Sequence, residues 1–216
     1  MLMKWIRCAV DEEWRIRFSR AQAAWGRISS AAGLIGQYGG WDVRAQSGIA
    51  CILSIWQDDS AYAKFMRGFH DFVTEGSGQA STYRQIKVDM FDIVLSMPGK
   101  APGLVEGIES GARFLRVAEC EVLPDRVDHF VATQSTVWRP AMKASPGMCG
   151  GAFLRSRDAN TRFAVITSWA SAQEHDEYSL THVPQLRSQA ELSDDLVRIE
   201  DRFIPLEPSW SVIPSA

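Results

Sequence analysis

The chain has 216 residues, of which 46% are hydrophobic and 23% are charged, as in a globular protein with a sizeable core. Its net charge of -3 gives no electrostatic basis for binding nucleic acid or an anionic membrane. No apolar run approaches the roughly 20 residues of a membrane span, and the four cysteines lack CxxC spacing, so we expect reduced thiols in a cytoplasmic protein.

The first half of the chain alternates strand and helix signals. LMKWIRCAV alternates apolar and polar residues, which predicts a strand and not a signal peptide. Asp11 is the expected N-cap of a helix, and GLIGQYGGWDV and IACILSIW predict two further strands, the first with a glycine bulge. Asp58 or Ser60 caps a second helix that ends near Phe72, and QIKVDMFDIVL predicts a fourth strand.

The second half repeats this order. Paired landmarks recur at offsets of 112 to 114 residues, among them Cys8 and Cys120, Gln22 and Gln134, Gly36 and Gly150, Trp56 and Trp169, and His70 and His182. The predicted fold is therefore α+β, a tandem duplication of ferredoxin-like βαββαβ units. The expected boundaries are a first module at 1–97, a linker at 98–111, a second module at 112–206 and a C-terminal tail at 207–216.

Each predicted sheet has helices on one face only, and its other apolar face needs a covering partner. The second copy is that partner, since it is tethered at high effective concentration. We therefore expect an intrachain α+β barrel with a central cavity. A monomer with such a pseudo-dimeric barrel and a homodimer both remain open.

These features resemble the dimeric α+β barrel superfamily, which includes the antibiotic biosynthesis monooxygenases (ABM) and relatives of haem-degrading monooxygenases. The resemblance rests on the βαββαβ order, on the strand endings SIW and TSW, and on a histidine late in the second helix. More narrowly, MLMKWIRC, GQYGGWD, ACILSIW and the ending PSWSVIP are similar to the uncharacterised two-copy ABM-like bacterial proteins of the YdbC type. The superfamily fold hosts oxygenation, haem breakdown, isomerisation and plain binding, so fold alone names none of them.

His70 and His182 are the candidate catalytic residues. An imidazole at a barrel mouth could relay protons or ligate haem, and the repeat places the two histidines in equivalent positions. The alternative is a histidine that caps a helix end. His129 and His175 are expected on exposed helix faces.

Candidate substrate-binding residues come from the same repeated positions. A tryptophan at the end of the third strand could stack on a flat ligand or pack under the second helix, and a buried glutamine needs a partner in the protein or a ligand. The candidates are Trp56, Trp169, Gln22, Gln134, Trp25 and Tyr38. Because the second copy lacks counterparts of Tyr38 and Trp41, a single working site in the first copy is a reasonable expectation.

No metal-ligand spacing, Ser-His-Asp order or phosphate loop is found, and GQYGGWD is not a dinucleotide motif. Some haem-degrading relatives carry a polar amide on the first strand, where this chain has Cys8 and Cys120 and no asparagine. That departure argues against haem degradation. We expect no dedicated cofactor, with haem as the alternative.

Together these features predict an ABM-like protein that oxidises a small apolar or aromatic molecule without a metal or flavin. His70 or His182 would be the base that forms a substrate carbanion. The alternative is a non-catalytic protein that binds a small molecule or haem, as in stress or metabolite sequestration.

Overall fold

The computed structural model describes residues 1–214 and divides the chain into two compact units. Unit 1 comprises Met1–Phe91 and the C-terminal segment from Ile204 onward, and unit 2 comprises Asp92–Phe203. Both units are α+β, so the predicted tandem βαββαβ order is confirmed. Within residues 1–214, every helix is too short or too polar to span a bilayer.

Unit 1 consists of an antiparallel sheet with helices connecting its strands. The strands are β1 (Leu2–Ala9), β2 (Leu34–Trp41), β3 (Ile49–Trp56) and β4 (Gln85–Pro98), which are adjacent in the order β2-β3-β1-β4. The helices are α1 (Arg15–Ala23), α2 (Asp59–Gly68) and α3 (His70–Ser77), with short 3-10 segments at Glu12–Trp14, Ala24–Ser30 and Gln79–Thr82. β4 runs on from unit 1 into unit 2, which begins at Asp92.

The strand pairing shows why the sheet has two distinct faces. β3 pairs antiparallel with both β1 and β2, so Lys4, Ser54 and Gln37 stand side by side in one row. Successive side chains point to opposite faces of a strand. The even-numbered residues of β1 therefore lie under the helices, and its odd-numbered residues lie on the other face.

That other face carries a buried ion pair between Arg7 and Asp89.

Helix α2 begins where the sequence predicts. Asp58 is its N-cap, and the Asp58 side chain accepts a hydrogen bond of 2.8 Å from the backbone N–H of Ala61. Asp11 also precedes a helical turn, but its side chain forms no capping bond and pairs instead with Arg84 at 2.8 Å. Of these two aspartates, only Asp58 thus acts as the capping side chain expected of this residue type.

The C-terminal segment, expected as a tail, is part of the core of unit 1. Trp210 is 1% exposed, and its ring lies 5.6 Å from Phe18 and 5.4 Å from Trp41. Gln37 and Val212 exchange backbone hydrogen bonds, which extends the sheet beyond β2. The segment packs here because β2 is an edge strand whose backbone groups need partners.

Unit 2 repeats the arrangement with a more divided helix layer. Its strands are β5 (Phe114–Val122), β6 (Met148–Ser156), β7 (Arg162–Trp169) and β8 (Leu196–Pro205), in the order β6-β7-β5-β8. Its helices are α4 (Leu104–Glu109), α5 (Val127–Thr133), α6 (Arg139–Ala144), α7 (Ala172–Thr181), α8 (Val183–Gln189) and α9 (Leu192–Asp195). A π-helical segment, Gln134–Trp138, joins α5 to α6.

The registers confirm the duplication residue by residue. Trp56 lies opposite Leu2 in one pairing and opposite Leu34 in the other, and Trp169 lies opposite Phe114 and Met148 in the same way. Both second strands also have a register shift just before a glycine, at Gly36 and at Gly150. The predicted glycine bulge is therefore present in both copies.

The segment expected as a linker contains structure of its own. β4 continues to Pro98, and α4 then packs against β6. A Cβ on Gly150 would collide with the carbonyl of Gly103, so the glycine permits close approach of the two backbones. The weak periodicity of this Gly- and Pro-rich stretch concealed a helix of only six residues.

Candidate functional site

A cavity of about 390 Å³ lies in unit 1 between the helices and the sheet. Its floor is formed by the helix-facing side chains of β1, β2 and β3, and its upper wall comes from the helical segments. Most of the lining is apolar, as in a site for a small organic ligand. The polar and titratable lining side chains are Lys4, Cys8, Gln22, Gln37, Ser54, Tyr62, His70, Thr74, Gln79 and Tyr83.

His70 lies at the edge of this cavity with its side chain 22% exposed. Its ring centroid lies 5.8 Å from that of Trp25 and 5.9 Å from that of Phe65, which it meets edge-on. The Nδ1 atom lies 2.9 Å from a carboxylate oxygen of Asp71. If Nδ1 donates to that carboxylate, Nε2 is left as a proton acceptor.

Trp56 combines the two roles considered from sequence. Its side chain is 1% exposed and packs 4.8 Å from Phe65 and 5.7 Å from Tyr62, both on α2. It also lines the cavity, and its Nε1–H donates to the Oγ atom of Ser54 at 3.2 Å. The residue therefore packs under the second helix and forms one wall of the cavity.

Gln22 and Trp25 are joined in the upper wall by an amide chain that includes Gln79. Trp25 Nε1–H donates to Gln79 Oε1 at 2.7 Å, and Gln79 Nε2–H donates to Gln22 Oε1 at 2.7 Å. Gln22 is 3% exposed, and this chain supplies the partner that a buried amide needs. Gln79 was not expected from the sequence, because its Gly/Ser-rich surroundings predict only a loop.

Tyr38 does not line the cavity, contrary to expectation. It lies on the opposite face of β2, where its ring packs against Gly36. Gln37, the adjacent residue, points under the helices and lines the cavity. Neighbouring side chains of a strand face opposite sides of the sheet, so Gln37 and Tyr38 cannot both line the cavity.

In unit 2 the counterparts of three lining residues, Cys120, Val165 and Trp169, are buried members of its hydrophobic core. Trp169 is 1% exposed in this core, and the buried Gln134 donates to the carbonyl of Phe130 at 3.4 Å. Trp169 and Gln134 thus have protein partners, whereas Trp56 and Gln22 also line the unit 1 cavity.

The expectation that His70 and His182 are equivalent is wrong by one residue. The backbone N–H of His182 donates to the carbonyl of Tyr178, whereas the matching bond in unit 1 runs from Phe69 to Phe65. His182 therefore corresponds to Phe69, at the junction of two helices. It lines a small pocket of about 90 Å³ with Glu174, Tyr178 and other residues of α7.

His175 is buried rather than exposed, which corrects a second expectation. It is 5% exposed, and its ring lies 5.3 Å from those of both Trp169 and Phe203. Its position corresponds to Tyr62 in unit 1, so the repeat places it over the third strand. His129 is partly exposed and contacts Asp195, which is fully buried, at 2.9 Å.

Burial raises the pKa of some titratable groups in the cavity and lowers that of another. It raises the pKa of the Cys8 thiol to about 12, although the nearby Lys4 opposes that shift. It lowers the pKa of Lys4, with the Cys8 charge acting in the other direction. It also raises the pKa of Tyr62. Cys8 is therefore a protonated thiol near neutral pH and not a nucleophile or a thiolate ligand.

Among residues 1–214, no group of three or more His, Cys, Asp or Glu side chains could hold a metal ion. The donors in the cavity are scattered amides, hydroxyls, one imidazole and one amine. That set suits recognition of a small organic molecule by hydrogen bonds.

Comparison with solved structures identifies the class of fold. The chain aligns with a candidate monooxygenase of Fusobacterium nucleatum at a TM-score of 0.77 and 9% identity, covering 95% of this chain and 91% of that one. A candidate monooxygenase of Lactobacillus acidophilus gives 0.75 at 14% identity, covering 100% and 97%. An anthrone oxidase-like protein gives 0.71 at 12% identity, covering 100% and 96%. At these identities the likeness shows the fold, which is ABM-like over almost the whole chain.

Sequence comparison then identifies the family. A domain of unknown function, DUF4937, matches residues 2–91, and the antibiotic biosynthesis monooxygenase family matches residues 113–181. The uncharacterised protein YdbC of Bacillus subtilis is 32% identical over 93 residues, which cover 43% of this chain and 78% of that protein. The chain belongs to the YdbC family of ABM-like proteins.

Proposed function

We propose that unit 1 is a cofactor-independent monooxygenase for a small aromatic or otherwise apolar molecule. The observation that carries the proposal is the unit 1 cavity, a largely apolar space of about 390 Å³ with a histidine–aspartate pair at its edge. The monooxygenase-like descriptions of the structural neighbours support the reaction class.

His70 is the proposed base. Its Nδ1 contact with Asp71 at 2.9 Å orients the imidazole and favours a free Nε2 acceptor. The rings of Trp25 and Phe65 hold the imidazole in place. Cys8 is excluded from this role because burial raises its pKa to about 12.

The proposed reaction converts an activated methylene and O₂ into a ketone and water. His70 removes a C–H proton to form a carbanion, which transfers one electron to O₂; the resulting radical recombines with superoxide to give a peroxide anion. The protonated His70 returns a proton to the peroxide, and loss of water leaves the carbonyl. The balance is R₂CH₂ + O₂ → R₂C=O + H₂O, so no external reductant is needed.

The walls of the cavity would position the substrate. Trp56 and Trp25 offer flat faces for an aromatic ring, and the Gln22–Gln79 amide chain fixes the orientation of Trp25. Apolar walls also suit O₂, which is itself apolar, and they limit the access of water to a carbanion.

Oxygen uptake with anthrone as substrate tests this proposal. We expect turnover by the wild type, at least 100-fold loss in His70→Ala, in line with the usual contribution of general base catalysis, and little change in His182→Ala. Asp71→Asn keeps an oxygen acceptor for Nδ1 and should lower the rate less than His70→Ala does. Equal rates for wild type and His70→Ala would eliminate the base assignment.

A binding protein without turnover is the second candidate, and one observation favours it. The cavity lining contains one imidazole and no carboxylate, and burial raises the pKa of Cys8 and Tyr62. With so few catalytic groups, the cavity could simply sequester a ligand. That function predicts ligand-dependent thermal stabilisation without oxygen uptake.

The expected cellular setting also remains a proposal. The four cysteines are free and buried, which supports a reducing, cytoplasmic compartment. Light scattering would distinguish between the two alternatives left by the sequence, a monomer with a pseudo-dimeric barrel and a homodimer.

A further inference from the structure

Three polar side chains cross the floor of the unit 1 cavity in a single row, called here the floor row. Lys4 on β1 is paired with Ser54 on β3, and Ser54 is paired with Gln37 on β2. All three line the cavity. Cross-strand neighbours on one face lie about 5 Å apart at their Cβ atoms, so Lys4 and Gln37 are roughly 10 Å apart at Cβ, and their long side chains can reach a ligand atom above Ser54.

Gln37 supplies a hydrogen-bond donor that the protein itself leaves unused. The residue is 4% exposed, and its Nε2 atom is buried without a hydrogen-bond partner. Nearly all buried polar side-chain atoms in proteins are hydrogen-bonded, and an exception calls for a specific explanation. A ligand acceptor in the cavity would provide the missing partner.

Lys4 supplies a positive charge that no carboxylate of the cavity neutralises. The other titratable groups of the cavity lining are Cys8, Tyr62, His70 and Tyr83, and the lining contains no aspartate or glutamate. The Lys4 Nζ atom lies 5.5 Å from the centroid of the Tyr62 ring. A cation in such surroundings favours an anionic ligand, because the attraction is strong at low local dielectric.

In the corresponding row of unit 2, the cation is neutralised within the protein and the amide is absent. There Arg116 is paired with Thr167, and Thr167 with Gly151. Arg116 forms an ion pair with Asp201 at 2.6 Å, so its charge is neutralised within the protein. Glycine replaces the amide of Gln37. The same three positions are therefore satisfied in unit 2 and left open in unit 1.

We propose that the floor row is an oxyanion subsite that binds the ionised oxygen of a phenol or an enolisable ketone. Lys4 and the Gln37 amide contact that oxygen, and Ser54 lies between them in the row. The subsite deepens the proposed function and rests on it: a carbanion formed beside a carbonyl places its negative charge on oxygen, and the floor row stabilises that charge. The ligand class is thus an apolar ring system with one acidic oxygen.

Titration of the protein into para-nitrophenol tests the subsite without any turnover. The phenolate of this probe absorbs visible light and the neutral phenol does not. At a pH about one unit below the pKa of the free probe, roughly a tenth of it is ionised. We expect wild-type protein to raise the visible absorbance, through a decrease of at least about one unit in the pKa of the bound probe, equivalent to tenfold stabilisation of the phenolate.

The variants separate the subsite from the rest of the cavity. Lys4→Met and Gln37→Leu should each abolish most of the absorbance rise, Lys4→Arg should retain part of it, and the exposed-site controls Lys64→Met and Gln57→Leu should match the wild type. Gln37→Leu keeps the test valid if Lys4→Met does not fold, since it removes an unpaired buried donor.

Two outcomes distinguish the subsite from the catalytic proposal. If the protein ionises the probe but consumes no oxygen with anthrone, the subsite is supported and the proposed monooxygenase activity is rejected. Folded wild-type protein that leaves the absorbance unchanged, whether or not it oxidises anthrone, overturns the subsite.

Discussion

Replacement of Gln37 by leucine should stabilise the protein while it weakens ligand binding. The Gln37 side chain is 4% exposed and its Nε2 donor has no partner. An unsatisfied buried polar group costs about 1–3 kcal/mol, and leucine fills a similar volume without that cost. We therefore expect the free energy of unfolding to rise by about 1–2 kcal/mol in Gln37→Leu.

Urea unfolding followed by tryptophan fluorescence measures this change, because Trp56 and Trp210 are both buried in unit 1. Gln57→Leu is the matched control, since Gln57 is exposed in the same unit, and surface changes of this kind usually stay within about 0.5 kcal/mol. Para-nitrophenol should stabilise the wild type by about 2.7 kcal/mol at a hundred times its Kd, and should stabilise Gln37→Leu far less.

A loss of 1 kcal/mol or more in Gln37→Leu would refute this reasoning. It would mean that the Gln37 amide contributes a structural hydrogen bond to the wild type. Equal stabilisation of both proteins by the probe would separately contradict the role of Gln37 in binding.

Three further predictions concern the core, the thiols and haem. Trp210→Ala should lower the free energy of unfolding by about 3–5 kcal/mol, as expected for a fully buried aromatic side chain, whereas the exposed Ile213→Ala should have little effect in the same urea titration. Because burial raises the pKa of both Cys8 and Cys120 to about 12, iodoacetamide at pH 8 should alkylate neither in the folded protein and both in urea; rapid labelling of either in the native state would contradict this. If haem binds at His70, a Soret band should appear on titration and be lost in His70→Ala; a band that persists would exclude ligation by this residue.

The duplication was readable from the sequence because its landmarks are structural. The glycine after each bulge and the tryptophan that ends each third strand fix backbone geometry and register in both units. Such positions keep a nearly constant offset. The offset of 113 residues between Trp56 and Trp169 continues through the following helix, which aligns His182 with Phe69 instead of His70.

The cavity face was harder to predict than the fold. Tyr38 was chosen as a candidate because it is an aromatic residue among glycines. Strand alternation places it on the opposite face of β2, and Gln37 lines the cavity instead. Lys4 lies in the predicted first strand and was not among the candidate site residues. Its importance comes from the missing carboxylate partner, and that follows from packing and not from the residue type.

His175 shows how the repeat could have been used further. It was expected on an exposed helix face beside Asp176. Alignment with Tyr62 would have placed it over Trp169, where it is 5% exposed. A helix that carries several acidic residues can still bury one polar ring where that ring packs on a large aromatic side chain of the sheet.

The difference in ion pairing between Lys4 and Arg116 follows from tertiary structure. Both are cations on the first strand of their unit, and sequence treats them as equivalent. Only Arg116 has an aspartate on the neighbouring strand within 2.6 Å. The difference determines which copy is open to an anionic ligand.

A crystal structure of the protein soaked with para-nitrophenol tests most directly whether ligands bind in the unit 1 cavity. We expect the ring between Trp56 and His70, with its oxygen within hydrogen-bond distance of Lys4 Nζ and Gln37 Nε2. A probe bound only in unit 2, or a unit 1 cavity left empty at a saturating concentration of probe, would contradict that location.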